Sequence, residues 1–414
     1  MARMADLERE AFLEENNMSV AQQSAHQSFF QGIRFLAIML ACFVAFATTG
    51  IVLKSRASGI LPAAADASTE KWSSAASGKL MGAVWSYDVD MAKQQLQHGA
   101  NPDTKDGNGQ SALRVATSYY QWALAKLLLA NGASVDNPNI VAAAVSNIEH
   151  GHGEETAALL LDKAPKYANI ALRNAAGICN VKIAKLALAK GAQINEADDL
   201  YGEMPLHRAV DAGGCSHSSQ LSMVKFLLAN GAQVNATDHD GRTPLHVAVR
   251  HYDPSISMVK FLLANGAQVN ATAHDGRTPL HDAASQSFSV PIAELLLAKG
   301  AKADAEDEAG FTPLHYATQN LCAKMVKFLL KVGAPIDARS KNGHTPLHAL
   351  YYRYWDGSPN EQREAVEIAK LLLASGADIS AKTSSGSTLL SMAQRSVQKG
   401  PYKTFAKFVS AQAK

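Results

Sequence analysis

The feature that most constrains this chain is an internal duplication. Residues 222–246 read SMVKFLLANGAQVNATDHDGRTPLH, and residues 257–281 read SMVKFLLANGAQVNATAHDGRTPLH. The two copies lie 35 residues apart and differ only at Asp238 and Ala273. A unit this short cannot bury its own apolar face. Units repeated at a fixed period instead stack on one another, so a linear repeat array is the expected architecture.

The unit encodes two short helices. Gly241 supplies a tight turn, Thr243 stands where an N-cap belongs, and Pro244 takes the first helical position, where its missing N–H costs nothing. In the second helix Val259, Leu262 and Leu263 share one side, and Asn265-Gly266 stops the helix with a left-handed C-cap. Residues 267–271 then run extended into the next turn. The Thr-Pro-Leu-His signal at 243–246, the Leu-Leu and Gly-Ala signals at 262–267 and Val269-Asn270 resemble, in order and spacing, the ankyrin repeat. The resemblance implies an all-α ankyrin-repeat solenoid and a non-catalytic scaffold. Such a scaffold binds a macromolecule through its turn tips and the exposed, concave face of its first helices.

About ten helix-turn-helix units are expected over 79–414. The Pro-Leu-His signal returns at Pro205, Pro244, Pro279, Pro313 and Pro346. The third unit, about 138–168, has Lys163-Ala164-Pro165 where Gly-Ala is expected. The fourth restores Gly191-Ala192 and Ile194-Asn195 but lacks Thr-Pro. The ends at 79–102 and beyond Gly386 read as caps.

The segments before the array differ in kind. Residues 1–33 are a polar tail. Phe35 to Leu53 is uncharged over a length that just spans a bilayer as a helix, which makes 34–54 a single-pass transmembrane helix. Residues 55–78, rich in Ala and Ser, read as a linker. A second reading of the apolar run is a signal peptide cleaved after Ala45-Phe46-Ala47. Arg34 precedes the run, and Lys54, Arg56 and Lys71 follow it, which places the repeats on the cytoplasmic side. Cleavage would make the chain periplasmic or secreted, as a binder that neutralises or stabilises a specific enzyme.

A net charge of +2 on 414 residues excludes a polyanion-binding stripe, so no nucleic acid partner is expected. Cys42, Cys179, Cys215 and Cys322 show no paired spacing and are read as unbridged thiols in a reducing compartment, Cys179 and Cys322 packing as small apolar side chains.

Chemistry-bearing patterns are few. His207, His246, His281, His315 and His348 recur in one register, but stacked helices at roughly 10 Å hold them too far apart to share an ion. The resemblance implies that each bonds backbone in the adjoining loop. The cluster 149–155 (EHGHGEE) has metal-ligand residue types, yet Gly153 followed by two glutamates also starts a helix. No phosphate loop, nucleophile elbow or His-Glu-x-x-His is present. No catalytic residue, metal, cofactor or small-molecule substrate is therefore expected; the remaining enzymatic reading is a site hidden in 138–190. A protein partner of unidentified kind is expected at the tip residues His239, Arg242, His274, Arg277 and Phe311, and at Tyr316 on a first helix. It is also expected at the aromatic insertion Tyr351, Tyr352, Arg353, Tyr354 and Trp355, residue types enriched at binding hot spots.

Overall fold

The computed structural model describes residues 72–147, 153–251, 254–286, 288–351, 359–397 and 403–412. The apolar run at 35–53 lies outside them. Among the described residues no helix is long and apolar enough to cross a membrane.

The described residues form helices and no strand, and the helices pair off along the chain. Pair one is Ser74–Trp85 with Val89–Gln97, pair two Ala112–Ser118 with Trp122–Ala130, and pair three Pro138–Ser146 with Gly153–Lys163. Pair four is Ala168–Gly177 with Val181–Ala189, pair five Pro205–Val210 with His217–Ala229, and pair six Pro244–Arg250 with Ile256–Ala264. Pair seven is Pro279–Ala284 with Val290–Ala298, and pair eight Pro313–Gln319 with Ala323–Lys331. Pair nine is Pro346–Ala349 with Pro359–Ala374, and pair ten Leu389–Val397 with Lys403–Gln412. The first helix reaches back into the stretch read as linker because the Ser73 side chain caps it, accepting from the Ala76 N–H, and alanine favours helix.

Packing follows the repeat. First helices stack on first helices from pair one through pair nine, and second helices on second helices from pair one to pair five and from pair six to pair ten. Between pairs five and six the Lys225 ammonium lies over the Phe261 ring, 5.7 Å from its centroid. Leu206, Leu245, Leu280, Leu314 and Leu347, one position in five successive units, are at most 1 % exposed. Each such burial contributes about 1.5–3 kcal/mol.

The recurring histidines act as clamps. In pair six the Thr243 N–H donates to His246 Nδ1 at 3.2 Å, and the Thr243 hydroxyl meets the same nitrogen at 2.9 Å. Nδ1 is thus an acceptor, so the proton sits on Nε2, which donates across the junction to the Arg277 carbonyl at 3.1 Å. His207, His281 and His315 repeat the cross-junction bond to the carbonyls of Arg242, Phe311 and His344. At His348, Nε2 is buried without a partner in bonding geometry. Acceptance at Nδ1 requires neutral imidazole, and burial enforces it, holding the pKa of His246, His315 and His348 down to about 4.

Between pairs five and ten, each connection carries a turn, called here a finger, that leans on the next. His239 donates its N–H to the Tyr201 carbonyl, His274 to Asp240, Glu308 to Asp275, Lys341 to Ala309 and Ser384 to Asn342, all at 2.8–2.9 Å. This ladder explains one glycine per finger. Gly276 has φ +78°, and a Cβ there would lie 2.5 Å from the Glu308 nitrogen.

Two connections lack the finger. Residues 131–137 lead directly into pair three, and 164–167, with a short 3-10 turn at Pro165–Tyr167, lead into pair four. At this weakened part of the array Cys179 and Cys215 form a disulfide, with Cα atoms 6.3 Å apart and a sequence separation of 36. This corrects the reading of these residues as unbridged thiols and of Cys179 as a packed apolar side chain. The two cysteines occupy the turns between first and second helices of pairs four and five, so one repeat period separates them in sequence and stacking brings them together. Cys322 is buried, as expected.

Candidate protein-binding surface

The tips and first-helix faces of pairs six to eight join several of the expected residues into one contact chain. Arg242 pairs with Asp240 on its own finger at 2.8 Å, and Arg277 pairs with Asp275 at 2.7 Å. The Arg277 guanidinium also lies over the Tyr316 ring, 5.5 Å from its centroid, and 3.9 Å from the Asp282 carboxylate. Tyr316 donates its hydroxyl to Asp307 at 2.7 Å, and burial together with that bond holds the phenol above its ordinary range. The Phe311 ring meets Tyr316 edge-on at 6.3 Å and His315 at 5.1 Å. Arginine stacked on an aromatic and tied down by a carboxylate has little rotamer freedom left to lose on binding.

The tip histidines His239 and His274 are exposed. Each ring covers the glycine of the preceding finger, His239 over Gly202 and His274 over Gly241. Two positions on this face are more enclosed than a solvent-facing reading expects. His344 is 7 % exposed and Asp282 is 3 % exposed. Burial pushes the Asp282 carboxyl up to about 6, with Arg250, Arg277 and Arg242 pulling it the other way.

The aromatic insertion of pair nine is described only at its edge. Tyr351 is half-buried and lines an open cleft of about 390 Å³ with Asn342, His344, Thr383, Ser385 and Met392. Tyr352, Arg353, Tyr354 and Trp355 lie outside the described residues, as do His150 and His152 of the 149–155 cluster. Gly153 does open a helix, with Glu154 and Glu155 in its first turn. Among the described residues no group of His, Cys, Asp and Glu is arranged to hold a metal.

Two surfaces escape a reading built on motifs. Leu200 and Tyr201, at the tip of finger five, are 71 % and 59 % exposed. At the inter-helix turns of pairs one and two, Trp85, Tyr87, Tyr119 and Tyr120 are exposed, and Trp85 meets Tyr119 edge-on at 5.5 Å. Tyr87 and Tyr120 hold left-handed backbone, φ 61° and 60°, uncommon for a bulky side chain. The signal for both surfaces is bulky apolar residues at turn positions where neighbouring units carry polar ones.

Comparison with known proteins agrees with this architecture. The sequence model for ankyrin repeats in three copies matches residues 214–307 and 288–383. A Danio rerio protein described as "Putative palmitoyltransferase ZDHHC13" is 32 % identical over 168 residues, 40 % of this chain, and the chain spans only 21 % of that relative. An Escherichia coli K12 protein described as "Putative ankyrin repeat protein YahD" is 28 % identical over 171 residues, 39 % of this chain and 83 % of that relative. With its clamped histidines, its finger ladder and these matches, the stretch 214–383 of this chain carries ankyrin repeats.

Proposed function

We propose that this chain is a non-catalytic scaffold of ten ankyrin-type units that holds a protein partner against the finger tips and first-helix faces of pairs six to nine. The observation that carries this reading is the contact chain from Arg277 through Tyr316 to Phe311, a half-buried, pre-ordered cluster of the residue types that dominate binding hot spots. The match to the palmitoyltransferase-named relative covers a fifth of that protein and supplies no reason to carry its activity over.

The scaffold works on the oxidising side of a membrane, tethered through residues 35–53 or released after cleavage near Ala47. The Cys179–Cys215 bridge supports that side, because such bridges persist in oxidising compartments and are reduced in the cytosol. It outweighs the lean toward the cytoplasm drawn from three basic residues against one.

A photo-crosslinking amino acid at Tyr316, compared with one at Lys327 on a second helix, tests the binding face in native membranes. A discrete adduct from position 316 alone is expected. Equal adducts from both positions, or from 327 only, would sink the assignment. Thiol labelling of unlysed cells under non-reducing conditions checks the side: Cys179 and Cys215 stay blocked until reductant is added.

A further inference from the structure

The ladder of fingers has an open end inside the array. Each finger from six to ten donates one backbone N–H to the carbonyl of the finger before it. Finger five is anchored at the equivalent aspartate but is one residue longer, its closing bond spanning five residues where the others span four. The Asp198 N–H meets the Glu203 carbonyl, and Asp198 Oδ1 accepts from the N–H groups of Leu200 and Tyr201. Finger six has the matching set at Asp238, where the N–H donated to the previous finger belongs to the next residue, His239. By that register finger five's outward donor is the Asp199 N–H. The connection before it, 164–167, has no finger to offer a carbonyl, and among the described residues the Asp199 N–H meets no acceptor. The connection at 131–137 lacks a finger as well. A slot about two helix-packing spacings wide, each 8–10 Å, therefore separates finger five from the finger at 106–110.

The lip of this slot is unlike the other tips. Between the anchoring residue and the glycine, fingers six to ten carry His239-Asp240, His274-Asp275, Glu308-Ala309, Lys341-Asn342 and Ser384-Ser385. Finger five carries three residues there, Asp199-Leu200-Tyr201, and Leu200 and Tyr201 are more exposed than any other large apolar side chain of the described residues. Its charge is acidic. Glu203 is paired with Arg208 at 3.1 Å, while Glu196 and Asp199 have no ion pair among the described residues. The basic residues nearby are engaged: Arg173 donates to the Ala197 carbonyl at 3.4 Å, and Lys166, in the connection 164–167, lies over the Tyr167 ring, 4.9 Å from its centroid.

We propose that the slot is a docking site for an extended peptide segment of a protein partner, bearing alternate basic and apolar residues, that takes the place of the missing finger. A backbone carbonyl of the segment accepts the Asp199 N–H, continuing the ladder as strand addition continues a sheet edge. Its apolar side chains cover Leu200 and Tyr201, and its Lys or Arg side chains face Asp199 and Glu196. This rests on the protein-binding reading above and adds a second contact region with its own recognition chemistry.

The test pans a phage-displayed random dodecapeptide library on the purified full-length protein and measures affinities of enriched peptides by fluorescence anisotropy. Enriched peptides should combine Lys or Arg with aliphatic or aromatic residues. Their affinity should fall at least about tenfold in Leu200→Ser/Tyr201→Ser and in Asp199→Pro, which removes the N–H. It should also weaken as salt rises and be unchanged in Arg277→Ala. Leu200 and Tyr201 are exposed, so the double variant retains its fold even where the proline does not. Peptides that bind the double variant as tightly as the original chain would overturn the slot, as would a panning that enriches none. Peptides lost in Arg277→Ala but not in the double variant would overturn the slot and leave the scaffold standing. Self-association that disappears in the double variant would assign the lip to a second copy of the chain and overturn the peptide reading.

Discussion

Pairs five to ten and pairs three to four hold the same stack of helices together by different means. At the junction of pairs six and seven, His246 reaches the Arg277 carbonyl in a part-buried bond and the His274 N–H reaches the Asp240 carbonyl, so the finger side is closed twice. Around pair three there is neither a clamp nor a finger. Exposed ion pairs between second helices stand in their place: Lys126–Glu155 at 2.8 Å, Lys182–Glu154 at 3.3 Å and Lys190–Asp162 at 2.7 Å. Such pairs are worth about 0–1 kcal/mol each. The junction of pairs four and five adds the disulfide. Helix-on-helix burial is enough to propagate the stack; the clamps and fingers supply additional stability and a regular surface. At the joint of pairs four and five, which among the described residues has neither a clamp nor a finger-to-finger bond, a covalent bond ties the turns together.

Acid should separate the two regions most strongly. His246, His315 and His348 are neutral in the folded array down to about 4, whereas the unfolded chain takes up protons near 6.5. The unfolded state therefore binds more protons between those values, and the stability present at pH 7 is lost as pH falls through that window. By pH 4.5 the loss is on the order of 2 to 3 kcal/mol per histidine. Asp282 works in the opposite direction, since its carboxyl lies at about 6 when folded and gains stability as pH falls through that value. Hydrogen exchange at pH 7 and pH 4.5 should show protection lost first in pairs five to nine. Equal loss in pairs three and four would break the contrast.

Reduction should act on the other region. Reducing the Cys179–Cys215 bridge, or Cys215→Ser, should cost about 2–4 kcal/mol. The faster exchange should be confined to pairs four and five, with pairs seven to nine unmoved. A global fall in protection would mean that the joint supports the whole array.

The finest discrimination lies within the ladder. Gly276 and Gly386 have nearly the same backbone, φ +78° and +75°, but a Cβ on Gly276 meets the next finger's backbone, and one on Gly386 meets nothing within 4 Å. Gly386→Ala should cost about 1 kcal/mol for the left-handed conformation alone. Gly276→Ala should cost about 3 kcal/mol, the added part coming from displaced backbone. Urea midpoints of the two variants that coincide would show that the ladder contributes little.

The sequence made the regular half of the molecule readable and left the irregular half ambiguous, for physical reasons. Pro-Leu-His marks a helix start, a clamp and a finger together, so pairs five to nine follow from it. Pairs three and four keep helical spacing, as in Ala157 through Leu161, but the missing Gly-Ala at 163–165 marks a lost finger only once the ladder is known. The bridge escaped because cysteines were sought at short spacings, whereas in a stack the spacing that brings equivalent turns together is the repeat period. The enclosure of Asp282 has no marker in the sequence, because it comes from the Arg277 guanidinium of its own finger lying 3.9 Å away. The tip and first-helix positions read from the repeat do bring Arg277, Phe311 and Tyr316 together in space, and their contact with a partner is the proposal made above.

The crosslink also has a mechanical consequence. A stack whose members touch only their neighbours yields under tension by peeling from its ends, releasing one helix pair after another. The bond between Cys179 and Cys215 removes a stretch with a separation of 36 residues from the load path, roughly 120–130 Å of contour length at full extension. A single oxidised chain stretched to its limit should therefore fall short of a reduced one by that length. Until the bond is broken, the joint where the finger ladder begins stays closed while the pairs on either side unravel.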